Sequence, residues 1–307
     1  MTALELVQYN HMNVLVESYE GAVAHLSTVL GAQFLWEAPP NPFTRAGLVN
    51  FGGAIIEVVE KRRPMGVRPD SVSPIPGHRS SFWYCTGTAG FIMNWDRLGP
   101  HFVGCEFLVR DLPAALERTR ALGIRVNDQS EWHFFLTYAE QCHGISLEIT
   151  NVDWYSDPSP LPYAAELQRA DYWRDDHPLG ITGYRFSVAL PDLGDTASFY
   201  ADLCGATLEY HAERPTVAAR SIGLRLGDII VDFIAPTGPG PINAFVDKFG
   251  SQIRSMIFEV QDMQAVRRFF SERGVPIVSG DMEHSIAIVP DQNLGVLFQF
   301  EAGSDTN

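Results

Sequence analysis

The sequence has no long apolar run, little positive charge and few cysteines. No stretch stays apolar for the ~20 residues that a membrane-spanning helix needs, so no helical membrane protein is expected. Lys and Arg number 22 against 37 Asp and Glu, a net charge of −15. That balance argues against nucleic acid and anionic membrane surfaces as partners, because both bind proteins through basic residues. Its plain reading is solubility. The opening MTALELVQYN lacks a basic stretch followed by an apolar one, so it does not read as a secretory signal. Cys85, Cys105, Cys142 and Cys204 lie far apart and form no CxxC pair. Scattered cysteines of this kind suggest reduced, buried thiols and a cytoplasmic protein.

What is present is a pattern that occurs four times: strand, cap residue, amphipathic helix, glycine. The caps and glycines pair as Ser18/Gly31, Asp111/Gly123, Asp192/Gly205 and Asp262/Gly274. The spacings alternate, so the copies read A, B, A, B, which implies two halves of two modules each. In the second copy Asp111 suits an N-cap and Pro113 falls in the first turn, where a missing N–H costs little. Leu112, Ala115, Leu116, Thr119 and Leu122 then share one helical face, and Gly123 stops the helix. Before each cap lies an alternating strand: HMNVLV from His11, GCEFLV from Gly104, RFSVAL from Arg185 and SMIFEV from Ser255. Period-two alternation turns Met12, Val14 and Val16 toward the helix and His11, Asn13 and Leu15 to the other face. More strands follow each helix, closing in AIIEVV, ISLEIT, IIVDFI and VLFQF. Each module therefore reads as βαβββ. The expected fold is α+β, with paired βαβββ modules in two tandem domains of cupped mixed sheet. The chain of 307 residues is 46% hydrophobic, enough for two cores. Domain 1 is expected over 1–152 (modules 1–60 and 99–152), a linker over 153–179, and domain 2 over 180–302 (modules 180–236 and 250–302). The linkers 61–99, 153–179 and 237–250 are expected to cover a cleft or to pack the halves together. For the aromatic residues Trp154, Tyr155, Tyr163, Tyr172 and Trp173, packing is the more common role.

Paired modules with His at the start of a floor strand and Glu in a closing strand resemble the vicinal oxygen chelate superfamily. It includes glyoxalase I, methylmalonyl-CoA epimerase, extradiol dioxygenases and fosfomycin or bleomycin resistance proteins. HGISLEIT from His143, FGGAIIEVV and LGVLFQF are similar to the closing strands of that superfamily. The resemblance implies metal ligands at the first residue of each floor strand and at the acidic residue of each closing strand. In the first half these positions hold His11, Glu57, Gly104 and Glu148; in the second, Arg185, Asp232, Ser255 and Gln299. One imidazole and two carboxylates suit a divalent cation such as Fe, Mn, Zn, Ni or Co. The second set does not, because Arg185 repels a cation and Ser255 adds little; Arg185 is expected to pair with Asp232 or with an anionic substrate group. The metal ligands implied are thus His11, Glu57 and Glu148. Glu148 and Glu57 are candidate bases, and Glu106, two residues after Gly104 on the same face, is a candidate ligand or base. A carboxylate inside an apolar strand such as ISLEI is costly without a cation or donors.

The set departs from both obvious relatives. Type I extradiol dioxygenases carry two His and one Glu in the second half, and that half has none of them here. Glyoxalase-like sites use all four positions, and here one is Gly104, which donates nothing and leaves room for water, substrate or another side chain. His101, His133 and His143 are candidates to fill it; His101 needs a bulge to reach in. His25, on a helix, is expected to face solvent.

Three functions fit. The first is a metal-dependent lyase, isomerase or epimerase whose small substrate chelates through two oxygens, as a hydroxy-ketone or keto acid does, while a carboxylate moves a proton. The second is an Fe(II) ring-cleaving dioxygenase with a recruited second imidazole. The third is a non-catalytic protein that binds an aromatic or antibiotic molecule. Trp83, Trp95, Trp132, Phe134, Phe135 and Trp154 suit a flat apolar ligand and suit a core equally well. Four modules complete two clefts within one chain, so no second copy is needed; a homodimer remains open.

Overall fold

The computed structural model describes residues 3–38, 44–61, 98–153 and 171–303. The aromatic residues at 82–84, 95, 154, 155 and 163 and the cysteine at 85 lie outside them.

Each half forms an eight-stranded mixed sheet. The first holds β1 (Leu6–Val16), β2 (Gln33–Glu37), β3 (Thr44–Phe51), β4 (Ala54–Lys61), β5 (His101–Val109), β6 (Val126–Gln129), β7 (Phe134–Thr137) and β8 (Ser146–Thr150). The second holds β9 (Ile181–Ala189), β10 (Thr207–Arg214), β11 (Ala219–Leu226), β12 (Ile229–Pro236), β13 (Gln252–Val260), β14 (Val278–Ser279), β15 (Ile286–Ile288) and β16 (Leu297–Ala302). The orders β2-β3-β4-β1-β5-β8-β7-β6 and β10-β11-β12-β9-β13-β16-β15-β14 are the same arrangement twice. Two modules meet at an antiparallel central pair, β1 with β5 and β9 with β13. Each central strand pairs in parallel with the last strand of its own module. The fourfold βαβββ reading and the α+β class therefore hold.

The helices are α1 (Tyr19–His25), α2 (Leu112–Ala121), α3 (Thr196–Cys204), α4 (Pro241–Phe249) and α5 (Met263–Glu272). Helix α1 widens into a π-type turn over Leu26–Leu30 before Gly31 stops it. Side chains of Ser18, Asp111 and Asp262 accept from backbone N–H groups of the first turn, each such cap contributing about 1 kcal/mol. Gly31 and Gly205 end their helices in the left-handed region, at φ 73° and 67°, where a Cβ would be strained. Asp192 does not cap its helix. Gly194, at φ 36°, makes a turn there, so the helix starts three residues later with Asp195 as the capping residue. Leu122 also departs from expectation: it is 37% exposed, because α2 has ended before it reaches the core face.

One core serves both halves. Met12, Val14 and Val16 of β1 lie in the same cluster as Phe186 of β9 and Met256 and Phe258 of β13. Phe51 stands at its centre, with ring centroids 4.6 Å from Phe258, 5.9 Å from Phe298 and 5.5 Å from Trp173. Trp173 and the Tyr172 beside it thus pack the halves together, as expected for that linker. The third linker holds what its Pro and Gly content concealed, the helix α4. Pro241 opens it, and Phe245 and Phe249 meet one turn apart as a tilted pair, 4.7 Å between centroids. With the core-facing set of β1 spent on this shared interior, His11 and its neighbours are left on the opposite face of the sheet.

Candidate metal centre

Strand register brings the acidic residues to His11. Residues opposite one another in adjacent strands point to the same face. His11 lies opposite Glu106, Asn13 opposite Gly104 and beside Glu57, and Glu106 beside Glu148. His11 and the three glutamates are all buried, the glutamates at 9% (Glu57), 3% (Glu106) and 7% (Glu148) exposure. The His11 Nδ1 is 3.5 Å from Glu106 Oε1; its Nε2 is 3.7 Å from Glu57 Oε2 and 4.0 Å from Glu148 Oε2. One donor atom each from His11, Glu106 and Glu148 falls within 4.8 Å of the others. Glu57 touches this compact group through His11.

The electrostatics suit a cation. Burial pushes His11 down to about 3, against a weaker upward pull from the Asn13 side chain, so the ring is neutral and available as a ligand. Burial pushes Glu148 up to about 7, opposed by hydrogen bonds from Asn13 and Glu106. Burial, then the charge of Glu148, holds Glu57 well above the carboxylate range. Among the described residues no Arg or Lys pairs with Glu57 or Glu148. Elsewhere the same chain supplies one: Asp232 has Arg214 at 3.3 Å and Asp281 has Arg254 at 2.7 Å. Two buried carboxylates without an internal cation, next to a third and a neutral imidazole, form a donor set that a divalent ion satisfies.

Asparagines hold the acids in place. Between Tyr9, opposite Phe107, and His11, opposite Glu106, β1 has one extra residue, Asn10. This bulge re-aims the strand. Asn10 Nδ2 donates to Glu106 Oε1 at 2.8 Å, and Asn13 Nδ2 to Glu148 Oε2 at 3.4 Å. The matching stretch of β9 runs without a bulge, Tyr184, Arg185 and Phe186 opposite Phe258, Ile257 and Met256. Sequence reasoning placed Asn13 only as a face residue and missed Asn10. The signal available was the YNHMN string, where amides flank the imidazole.

Gly104 is filled rather than open. A Cβ there would lie 2.3 Å from the Ser146 carbonyl oxygen and 3.0 Å from the Ser146 Cβ, so close approach of β8 requires glycine. The recruited-imidazole expectation also fails among the described residues. A bulge between Phe102 and Gly104 does turn His101, but opposite Leu15, four residues along β1 from His11. Its Nδ1 bonds to the Gly99 carbonyl at 2.7 Å. His143 lies against Phe199 and Thr196 of the second half, and His133 is an exposed turn residue at φ 70°. His25 is half-buried and bonds to Asn293 at 3.3 Å rather than facing open solvent.

In the second half the four matching positions are wired to protein groups. Arg185 pairs with Glu301 and with Glu259 at 3.1 Å, not with Asp232, because register places those two glutamates side by side ahead of it. Ser187 Oγ and Ser255 Oγ are 2.7 Å apart, and Gln299 Nε2 donates to Ser255 Oγ at 2.8 Å.

The tandem pairs of βαβββ modules, with His11 and its acidic neighbours on the face away from the helices, form an arrangement shared with solved structures. Among solved structures, a mutant of 4-hydroxymandelate synthase from Streptomyces coelicolor is similar over 98% of this chain and 95% of its own, with a TM-score of 0.67 and 16% identity. At that identity the likeness is one of fold. Methylmalonyl-CoA epimerase from Mycobacterium tuberculosis matches at 23% identity over 40% of this chain and 89% of its own, with a TM-score of 0.38. The Streptomyces coelicolor epimerase matches at 19% identity over 41% and 96%, also at 0.38. No protein-family model and no curated protein matches the sequence. Among the described residues no helix is long and apolar enough to cross a membrane.

Proposed function

We propose that the first half is the active centre of a metal-dependent, redox-neutral enzyme, a lyase, isomerase or epimerase of a small substrate that chelates through two oxygens. His11, Glu106 and Glu148 are its metal ligands. The observation that carries the reading is the burial of Glu57 and Glu148 with no Arg or Lys partner among the described residues, beside an imidazole kept neutral. A divalent ion held by His11, Glu106 and Glu148 would supply Lewis-acid polarisation of the substrate's chelating oxygens.

Glu57 is assigned the proton. It stands outside the compact ligand group but 3.7 Å from His11, and burial raises its pKa, which makes its carboxylate a stronger base. Asn10 and Asn13 hold Glu106 and Glu148 against rotation, so the donors stay aimed. The group contains a single imidazole, which fits the oxygen-rich set of proton-transfer chemistry better than the 2-His-1-carboxylate set of oxygen activation.

The test is solvent exchange. Protein loaded with Mn²⁺ is incubated anaerobically in D₂O with a panel of 2-keto acids and hydroxy-ketones, and proton NMR follows deuterium entering next to the carbonyl. Metal-dependent exchange is expected, lost in Glu57→Gln while metal content stays. Oxygen uptake with a strict Fe²⁺ requirement would falsify the assignment and favour the dioxygenase.

A further inference from the structure

A cavity lies where the two halves meet. It is bounded by α4, the start of β5 and the β14–β15 edge, and its volume is about 670 Å³. That is the size of a small-molecule pocket. Its wall includes the tilted ring pair Phe245 and Phe249, 44° between planes, together with Val217. Two cations enter the same space. Lys248 lies over the Phe249 ring, 4.6 Å from its centroid, and no carboxylate pairs with it among the described residues. Arg254 sits on the bulge of β13, between Ile253 and Ser255, which turns it out of the ladder. Its guanidinium lies 5.1 Å from the Phe245 centroid and spends Nε and Nη2 on the two oxygens of Asp281, at 2.7 and 2.8 Å. Nη1 is left without a protein partner among the described residues. Asp281 is further committed to Gln299 at 3.0 Å, so it neutralises Arg254 without filling the donor that remains.

We infer that this cavity binds an aromatic carboxylic acid, its ring between Phe245, Phe249 and Val217 and its carboxylate on Arg254 Nη1 and the Lys248 ammonium. An aromatic ring gains from contact with the two phenylalanines, and a carboxylate gains from a partly buried guanidinium already oriented by its partner. A neutral ring of the same shape gains only the first. The site shares no residue with the His11 group and is independent of the reading given to that group.

The experiment titrates the full chain with 2-naphthoate and, separately, with 2-naphthamide, following ligand fluorescence with a chelator present. Naphthoate is expected to bind at least tenfold more tightly than the amide. Lys248→Gln, at an exposed position, weakens naphthoate several-fold and leaves the amide unchanged. Ser279→Trp, at an exposed residue of the cavity edge, fills the space and abolishes binding of both. Glu148→Gln leaves naphthoate binding intact. Equal affinity for acid and amide, binding that survives Ser279→Trp, or loss of binding in Glu148→Gln overturns the inference.

Discussion

Replacing Glu148 by Gln distinguishes a metal ligand from a structural acid, because the two roles give opposite signs. The Glu148 carboxyl has an ordinary value of 4.5 and is pushed to about 7 by burial. A group whose pKa is raised on folding holds its proton better in the folded state. Metal-free protein is then most stable below the unfolded value and loses that stability as pH rises through 4.5 toward 7. At about 1.4 kcal/mol per pKa unit, the loss from this one group is about 3 kcal/mol by pH 8. An amide carries no charge to desolvate, so Glu148→Gln recovers part of it. Urea unfolding in the presence of chelator is expected to show the variant 1–3 kcal/mol more stable than the parent at about pH 8, and equal near pH 5. Adding Mn²⁺ favours the parent instead. An ion at a hundred times its Kd stabilises the parent by about 2.7 kcal/mol and does little for the variant. If the metal-free variant is less stable than the parent at pH 8, or if metal stabilises both equally, the reasoning is wrong.

Arg214→Leu strands Asp232, 1% exposed, without its nearest cation, and is expected to cost about 3 kcal/mol, whereas Arg214→Leu with Asp232→Leu recovers most of it. A neutral single variant in urea unfolding would contradict this. Gly104→Ala drives a Cβ toward the Ser146 backbone and is expected to lower stability by about 1–3 kcal/mol; an unchanged melting temperature would mean that β5 and β8 move apart freely. Phe51→Ala removes the ring that joins the halves and is expected to cost about 3–5 kcal/mol, with near-ultraviolet dichroism and tryptophan fluorescence still falling in one transition. Two separated transitions in the parent chain would show that the halves do not share a core.

The fold was legible because its rules are local. A cap, a helical face and a stop glycine recur four times, and alternation of β1 assigns His11 to one face and Met12 to the other without any knowledge of the partner strands. Where a local rule failed, another local signal had been overlooked. Gly194 delays the third helix beyond Asp192, and Pro241 with Phe245 and Phe249 marked α4 inside a segment that looked like linker. His11, Glu57 and Glu148 were legible through their places on floor and closing strands. The Asn10 bulge was not, because it is a property of the pairing between β1 and β5 rather than of either strand. For the same reason the choice of Glu106 over Glu57 in the compact group could not be made beforehand. Which carboxylate stands opposite His11 is decided by register, and a slip of one residue would send every one of these side chains to the other face. Gly104 misled in a related way. A glycine at a ligand position looks like a gap until the neighbouring strand is seen to fill it.

The metal centre proposed at His11, Glu106 and Glu148 is tested most directly by elemental analysis of the protein purified without chelator and then equilibrated with Mn²⁺ or Zn²⁺. About one tightly held divalent ion per chain is expected. The ion is lost in His11→Gln and in Glu148→Gln, both of which keep the parent circular dichroism. No retained metal in the parent, or undiminished metal in both folded variants, would contradict it.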